Sequence, residues 1–375
     1  LDRTAQAFSD VSGVVSTSDY PGAAAAALLA QRLSLPSPTL ESVLRAGHKY
    51  LSRLAQKASV PEAVPRFHLV DPQALSPLPF AYPCFLKPVK GSFSIMTQRV
   101  ETPEDLETFM GRPSVEEYLT YYVHLFDRLL GLRPELEARA CYFLAEELLT
   151  GTQVTVEGYA QGSEVTILGT VDSILEPNTK SFLRFDYPSR LPDEIQFRLG
   201  ALATRAMEHL GWTDGFFNVE MMVDPVSGRM SIIEINPRLC GQFADLHLNV
   251  EGVSTYETLL NLALGKPCRA SGRGAYDVAS SFPLRVFEPS QADTLPDPES
   301  ILEIEARFPG CLIWIENTSG DLLDNFEELE DGHSARYGVV NVAGEDEREV
   351  LERFRQIETA LGCRFSSLAH ASRFA

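Results

Sequence analysis

Residues Phe216–Gly241 read FFNVEMMVDPVSGRMSIIEINPRLCG. The stretch divides into two strand-like runs around a turn. Phe216–Val223 is rich in aromatic and β-branched residues, Asp224-Pro225 and Gly228 interrupt it, and Met230–Ile235 resumes the pattern. With Asp224–Gly228 as the loop, Val223 is expected to pair with Arg229 and Asn218 to lie opposite Glu234. Side chains alternate along a strand, so the even-numbered residues of both runs then share one face. That face carries Asn218, Glu220, Glu234 and Asn236. Glu220 and Glu234 become diagonal neighbours, with Cβ atoms roughly 7–8 Å apart. Two carboxylates beside an amide oxygen can close on a hard cation such as Mg²⁺, which needs few protein ligands when a nucleotide supplies the rest. Acidic residues on a hairpin ordinarily form a solvated face, but Val219, Met221, Ile232, Ile233 and Ile235 flank these two. A buried, unmatched carboxylate pair is costly unless a cation satisfies it. Arg238, after Pro237, leaves the strand end near the same face. Its planar guanidinium suits a carboxylate or an acyl phosphate.

Composition narrows the partners. The 375 residues suffice for two or three packed units, and 32 Lys plus Arg against 52 Asp plus Glu give a net charge of -20. Such a surface repels phosphate backbones and anionic lipid heads, so nucleic-acid and membrane partners are not expected. A nucleotide site needs only local lysines and a metal. The six cysteines are scattered without a C-x-x-C pair, which fits a reducing, cytoplasmic setting. The first residues have no signal-peptide pattern, and no apolar run approaches a membrane span. The chain opens on Leu rather than Met, and further residues are expected upstream.

Four regions follow along the chain. Residues 1–60 read as part of a parallel α/β layer with a linking helix: strand-like Val11–Ser18, a Pro-led helix over Pro21–Leu33, a strand end at Leu35–Pro38, and a helix over Thr39–Ala58. Residues 61–150 hold strands near Phe67–Val70, Cys84–Val89, Ile95–Val100 and Tyr142–Leu149. Between them lie a capped helix at Thr102–Met110 and a longer amphipathic helix at Val115–Leu130. Residues 151–270 hold consecutive strands Gln153–Tyr159 and Val165–Ile174, a helix over Asp193–Leu210, the central hairpin, and a helix over Tyr256–Leu264. Residues 271–375 read as a small α+β domain, with strands near Val278–Phe287, Cys311–Ile315 and Gly338–Val342 and a helix over Asp346–Leu361.

Several other stretches carry weaker signals. Lys87 lies in CFLKPVK before Gly91-Ser92-Phe93-Ser94, where a strand lysine beside a turn can meet a phosphate. The plain alternative is an edge strand with surface lysines, as Pro83 and Pro88 suggest. Lys49, within Gly47-His48-Lys49, reads as a residue near the middle of a helix, ordinarily exposed. Ala145–Gly151, AEELLTG, ends a strand where main-chain groups and Glu146 could meet an adenine edge; a strand end with two solvated acids is the alternative. Arg184, in a polar stretch, could reach a phosphate or simply belong to a solvated loop. No P-loop, nucleophile elbow or H-E-x-x-H pattern is present.

Taken in order, Lys49, Lys87 before a glycine turn, Glu146 before Gly151, Glu220, and Glu234-x-Asn236-x-Arg238 resemble the ATP-grasp superfamily. The similarity is to carboxylate–amine ligases such as L-amino-acid ligases, with biotin carboxylase more distant. The resemblance implies an ATP-grasp fold: a partial N-terminal parallel α/β domain, a lid subdomain, a metal-binding subdomain and a small C-terminal α+β domain. It implies ATP held by Lys49, Lys87, Ser92 and Arg184 at the phosphates and by Glu146, Glu147 and Leu149 at adenine. Glu220, Glu234 and Asn236 would carry Mg²⁺, or Mn²⁺ in its place. Arg238 would stabilise an acyl phosphate made from a small carboxylate and consumed by a small amine. The family's alternatives are a non-catalytic ATP-binding module and a bicarbonate-activating carboxylase subunit; a homodimer is compatible with any of these. Departures from the pattern are His48, Gln153, the glycine-poor turn at Gly91–Ser94, and a helical insertion over Gly111–Arg139.

Overall fold

A computed structural model describes residue 8 and residues 10–91, 95–269, 272–324 and 334–368. The chain forms two compact units. One takes in Leu1–Thr170, Leu191–Cys240 and Tyr256–Cys268; the other takes in Val171–Arg190, Gly241–Thr255 and Arg269–Ala375. The second unit is thus assembled from three separate pieces of the sequence.

In the first unit the chain begins with helices α1 (Ala24–Leu33), α2 (Leu40–Gly47) and α3 (Lys49–Ser59). The strands expected at Val11–Ser18 and Leu35–Pro38 do not form among the described residues. Pro36 and Pro38 offer no N–H to a ladder, and α1 packs on α2 instead. The helix expected to run unbroken over Thr39–Ala58 is two helices. Thr39 caps α2 by accepting from the Ser42 N–H, and His48, in extended conformation, caps α3 by accepting from the Leu51 N–H. Capping by an imidazole ends one helix and starts the next, so Lys49 is the first residue of α3, not a mid-helix residue.

Strands β1 (Phe67–Val70), β2 (Cys84–Pro88), β3 (Gln98–Val100) and β4 (Phe143–Glu147) make an antiparallel sheet in the order β1-β4-β2-β3. β2 is therefore an inner strand, not the edge strand that its flanking prolines suggested. Between β3 and β4 lie α4 (Pro103–Met110), α5 (Pro113–Glu117) and α6 (His124–Leu130). A Thr102/Asp105 capping box starts α4. The long helix expected over Val115–Leu130 breaks into α5, a π turn at Tyr118–Tyr122 and α6.

Gly151 joins this sheet to β5 (Thr152–Gln161) with φ +132, and a Cβ there would meet the Val223 carbonyl oxygen at 2.1 Å. β6 (Glu164–Leu175) follows and runs on into the second unit, where β7 (Phe182–Tyr187) pairs with its end. Back in the first unit come α7 (Asp193–His209), β8 (Gly215–Val223) and β9 (Met230–Asn236), in the sheet order β6-β5-β8-β9. α7 buries Leu199, Leu202, Ala203 and Ala206 in the large apolar core of this unit, with Val154, Phe217, Met221 and Ile232.

The second unit also holds α8 (Ala244–Glu251), with α9 (Thr255–Ala263) returning to the first. Its strands β10 (Val278–Val286), β12 (Cys311–Ile315) and β14 (Ala335–Gly344) follow β7 in the order β12-β14-β10-β7. A smaller sheet orders β13 (Leu322–Leu323), β11 (Ser290–Thr294) and β15 (Arg364–Ser367) as β13-β11-β15. α10 (Pro298–Arg307) and α11 (Glu347–Leu361) contribute Ile304, Val350, Ile357 and Leu361 to its core. The six cysteines are free thiols. Among the described residues no helix is long and apolar enough to cross a membrane.

Candidate functional site

The hairpin β8–β9 has a different register from the one its turn suggested. Val223 pairs with Met230, not Arg229, because the loop extends to Arg229: the Asp224 N–H donates to the Arg229 carbonyl. The Asp224 carboxylate accepts from the N–H groups of Val226 and Ser227, and Gly228 takes φ +68. Continued unbroken, this register would pair Glu220 with Ile233 and put Glu234 on the opposite face. A shift between Glu220 and Met221 prevents that by leaving Ile233 as an extra residue on β9. Glu220 then lies directly opposite Glu234, and Asn218 directly opposite Asn236. The two glutamates are closer than the diagonal pair expected from sequence, with Cβ atoms about 5 Å apart for a direct cross-strand pair. Like charges directly opposite one another across two strands repel and destabilise the pair.

Side chains around the pair respond to that repulsion. Lys49 sits 3.1 Å from Glu234 and donates to the Gly91 carbonyl at 2.9 Å. Gln153 donates to Glu220 at 3.2 Å, and Asn236 donates to Glu220 at 3.0 Å and to Asn218 at 3.1 Å. Asn218 donates in turn to Glu157, its partner across β5. Burial, followed by the charge of Glu234, pushes the Glu220 carboxyl up to about 7. Burial also acts on Glu234, but Lys49 and Lys87 outweigh it and hold that carboxyl below its usual range. The pair is therefore asymmetric: Glu234 is the carboxylate already matched by a cation, and Glu220 is the one still short of positive charge.

A second cluster adjoins the first through Ile233, the neighbour of Glu234. Lys87 on β2 and Arg53 on α3 are 4% and 1% exposed, and both reach Glu146 on β4. Lys87 lies 2.7 Å from the carboxylate, and Arg53 donates to it through both Nε and Nη2. The extra residue of the hairpin completes the cluster: the Ile233 carbonyl accepts from Arg53 at 2.7 Å and Lys87 at 3.1 Å. Gln56, one turn beyond Arg53, accepts its remaining Nη1. Burial would raise the Glu146 carboxyl, but Arg53 and Lys87 hold it low. Burial lowers the Lys87 ammonium, with Arg53 adding to that and Glu146 opposing it. Glu146 is thus neither a solvated strand-end acid nor an acceptor turned outward; both its oxygens are occupied by cations. Arg53 had no motif to announce it. Its signal was its place one helical turn after Lys49, on the same face.

The other candidates are dispersed. Glu147 binds Arg66 at 2.9 Å and Arg229 at 2.6 Å, tying the ends of β1 and β9 to β4. Leu149 is half-buried just beyond β4. Arg184 belongs to the second unit, where it pairs with Asp186 and Glu347. Ser92 and the turn through Ser94 lie outside the described residues. Arg238 follows β9, its N–H donating to the Asn236 carbonyl. Burial opposes its charge, yet Cys240, Asp19, Glu220 and Glu157 raise its affinity for a proton. His48 is buried, and burial lowers its imidazole to about 4. The neutral ring accepts at Nδ1 from Leu51, which leaves Nε2 to donate to the Arg139 carbonyl.

As a metal site the donor set is all oxygen: two opposed carboxylates and the amide of Asn236, on one face. Among the described residues no group of three or more His, Cys, Asp or Glu forms a self-sufficient cage. Two carboxylates and an amide suit a Mg²⁺ whose remaining ligands come from phosphates and water. A small, partly open cavity lies beside them, lined by Asp19, Lys49, Lys90, Gly91, Glu234 and Asn236 among others.

Residues 80–246 match the family model for the ATP-grasp domain. No curated relative matches the chain by sequence. Among solved structures it is similar to an L-amino acid ligase from Bacillus licheniformis. That match has 17% identity over 98% of this chain and 84% of the other, with a TM-score of 0.75. It is also similar to the ADP complex of PurK, an N5-carboxyaminoimidazole ribonucleotide synthetase (15%, 95% and 82%, TM-score 0.66). A third similarity is to a nucleotide complex of biotin carboxylase from Campylobacter jejuni (15%, 93% and 74%, TM-score 0.63). Identities this low speak to the fold.

Proposed function

Because this chain carries an ATP-grasp domain on an ATP-grasp fold, we propose that it is an ATP-dependent carboxylate–amine ligase using Mg²⁺. A substrate carboxylate oxygen attacks the γ-phosphorus of ATP, the bond to the bridging oxygen breaks, and ADP and an acyl phosphate result. An amine then attacks the acyl carbon, loses a proton, and expels phosphate to leave an amide. The observation that supports this most is the directly opposed Glu220–Glu234 pair, with Asn236 and Lys49 beside it.

Glu220, Glu234 and Asn236 would hold Mg²⁺, which when bound neutralises phosphate charge and orients the transferring group. Lys49, at the first turn of α3, balances Glu234 and presents an ammonium to the phosphates. Lys87 supplies a second positive charge from β2, its position fixed by Glu146 and the Ile233 carbonyl. Spreading fixed positive charge over the transferring phosphoryl group lowers the barrier because the groups need no reorganisation as charge develops. Arg238, aimed by the turn after β9, stabilises the acyl phosphate and its tetrahedral adduct. We also propose a changed part for Glu146: it positions Lys87 and Arg53 instead of meeting adenine, which leaves adenine to the main chain between Glu147 and Leu149.

The test is release of ADP and phosphate across panels of carboxylates paired with amines. Turnover that needs both substrates supports the ligase. Arg238→Ala should lower kcat by about 10²–10³ with nucleotide affinity nearly unchanged. Products of AMP and pyrophosphate would indicate an adenylating enzyme, and Mg-ATP binding without turnover under any pair would indicate a nucleotide-binding module.

A further inference from the structure

Lys90 and Asp19 are left over from this account, and both line the cavity beside Glu234 and Asn236. Lys90 is buried, and its ammonium lies 3.0 Å from the Asp19 carboxylate. The rings of Tyr20 and Phe126 cover the ammonium at 5.3 and 5.5 Å. Its main chain is fixed as well, since the Tyr118 hydroxyl donates to the Lys90 carbonyl. A lysine so enclosed is a built feature, not a solvated chain.

Asp19 faces more than one cation. Its charge raises the proton affinity of Lys49 and of Arg238 as well as that of Lys90. The carboxylate shares the cavity lining with Lys49 and Lys90, beside the carboxylates that would hold the metal. Two lysines lining one cavity suit a transferring phosphoryl group, with its several anionic oxygens, better than a single carboxylate. The carboxylate belongs to a short turn ahead of α1, Asp19–Ala23, and not to a strand of the sheet.

We propose that Lys90 is a third phosphoryl-contacting cation of this site, and that Asp19 holds its anion position until a nucleotide phosphate displaces it. This rests on the ATP-dependent reading above. Displacement costs little in charge terms, because Lys90 exchanges one anion for another and never stays buried alone. Asp19, released, moves away from the incoming phosphate, which repels it. The apparent affinity for nucleotide is then reduced by the fraction of molecules in which Asp19 is seated.

The experiment is a calorimetric titration of Mg-ATP into the full chain as wild type, Asp19→Asn, Lys90→Met and the double variant, with thermal melts of each. Asp19→Asn should tighten Mg-ATP by about fivefold, and Lys90→Met should weaken it by about tenfold or more. In the Lys90→Met background Asp19→Asn should change the affinity less than about twofold. Lys90→Met removes the cation paired most closely with Asp19 and could fail to fold; the double variant removes both charges, and Lys90→Arg keeps the cation. An Asp19→Asn protein that binds Mg-ATP no tighter than wild type overturns the displacement. A folded double variant with wild-type affinity overturns the role of Lys90. A wild-type chain that binds no Mg-ATP removes this inference together with the ligase reading, whereas wild-type binding with Asp19→Asn unchanged removes this inference alone.

Discussion

Replacing Arg53 by Met and Glu146 by Gln, singly and together, should give unequal losses of stability in a definite order. Arg53 donates to Glu146, the Ile233 carbonyl and Gln56, while Lys87 independently holds Glu146 at 2.7 Å. Arg53→Met therefore leaves Glu146 with one cation, a matched pair. The loss is that of its charge-assisted hydrogen bonds, about 3 kcal/mol, the low end for breaking a buried pair. Glu146→Gln instead leaves two cations buried around the Ile233 carbonyl with no anion between them. Lost pairing costs up to about 5 kcal/mol, and the two like charges left sharing the Ile233 carbonyl add to that cost. In the double variant Lys87 stands alone and can lose its proton, which burial already favours. Its loss should therefore fall short of the sum of the two singles by about 2 kcal/mol or more, the coupling expected within one network. Urea unfolding of the four proteins at neutral pH, followed by far-UV circular dichroism, measures all three differences. The reasoning fails if Arg53→Met costs as much as Glu146→Gln, if either costs under about 1 kcal/mol, or if the two losses simply add.

Glu220→Gln should separate stability from activity. It removes the repulsion between Glu220 and Glu234 and so leaves thermal stability unchanged or raised by about 1–3 kcal/mol, while abolishing Mg²⁺-dependent ADP release; calorimetry and a coupled ADP assay read the two. His48 gives a pH signature. Its folded value of about 4 lies below the ordinary 6.5, so its contribution is complete above pH 6.5 and is lost as pH falls toward 4. The loss is about 3 kcal/mol at 1.36 kcal/mol per unit. His48→Asn, which keeps a cap but cannot titrate, should flatten that part of the urea midpoint against pH; an unaltered profile would show that His48 does not charge on unfolding. Gly158→Ala places a Cβ 2.6 Å from the Thr166 carbonyl oxygen and 2.6 Å from the Phe217 ring. It should cost about 1–3 kcal/mol, read as a lower urea midpoint, because a backbone oxygen cannot swing aside.

The opposed carboxylates of the candidate site were legible in local pattern. Alternation along two short runs put Glu220 and Glu234 on one face, and the chain order of Lys49, Lys87 and Glu146 matched a known arrangement. Thr102 and Asp346 start helices as cap residues, since a cap depends only on groups three residues apart. The turn, however, was misjudged by one residue, and the observed turn taken alone would have separated the glutamates. They share a face because the extra residue Ile233 restores the parity.

The sequence alone determined which side chains could meet: carboxylates, amides and lysines whose charges have no stable place in a core except around each other and a cation. Only the tertiary structure decided how they meet. Strand register, the Ile233 bulge, the break at His48 and the burial of Arg53 against Glu146 arise from contacts between residues far apart in the chain, such as the 93 positions between Arg53 and Glu146. Local propensity cannot carry that information, because a bulge or a buried ion pair is favourable only once the partner strand or helix is already in place.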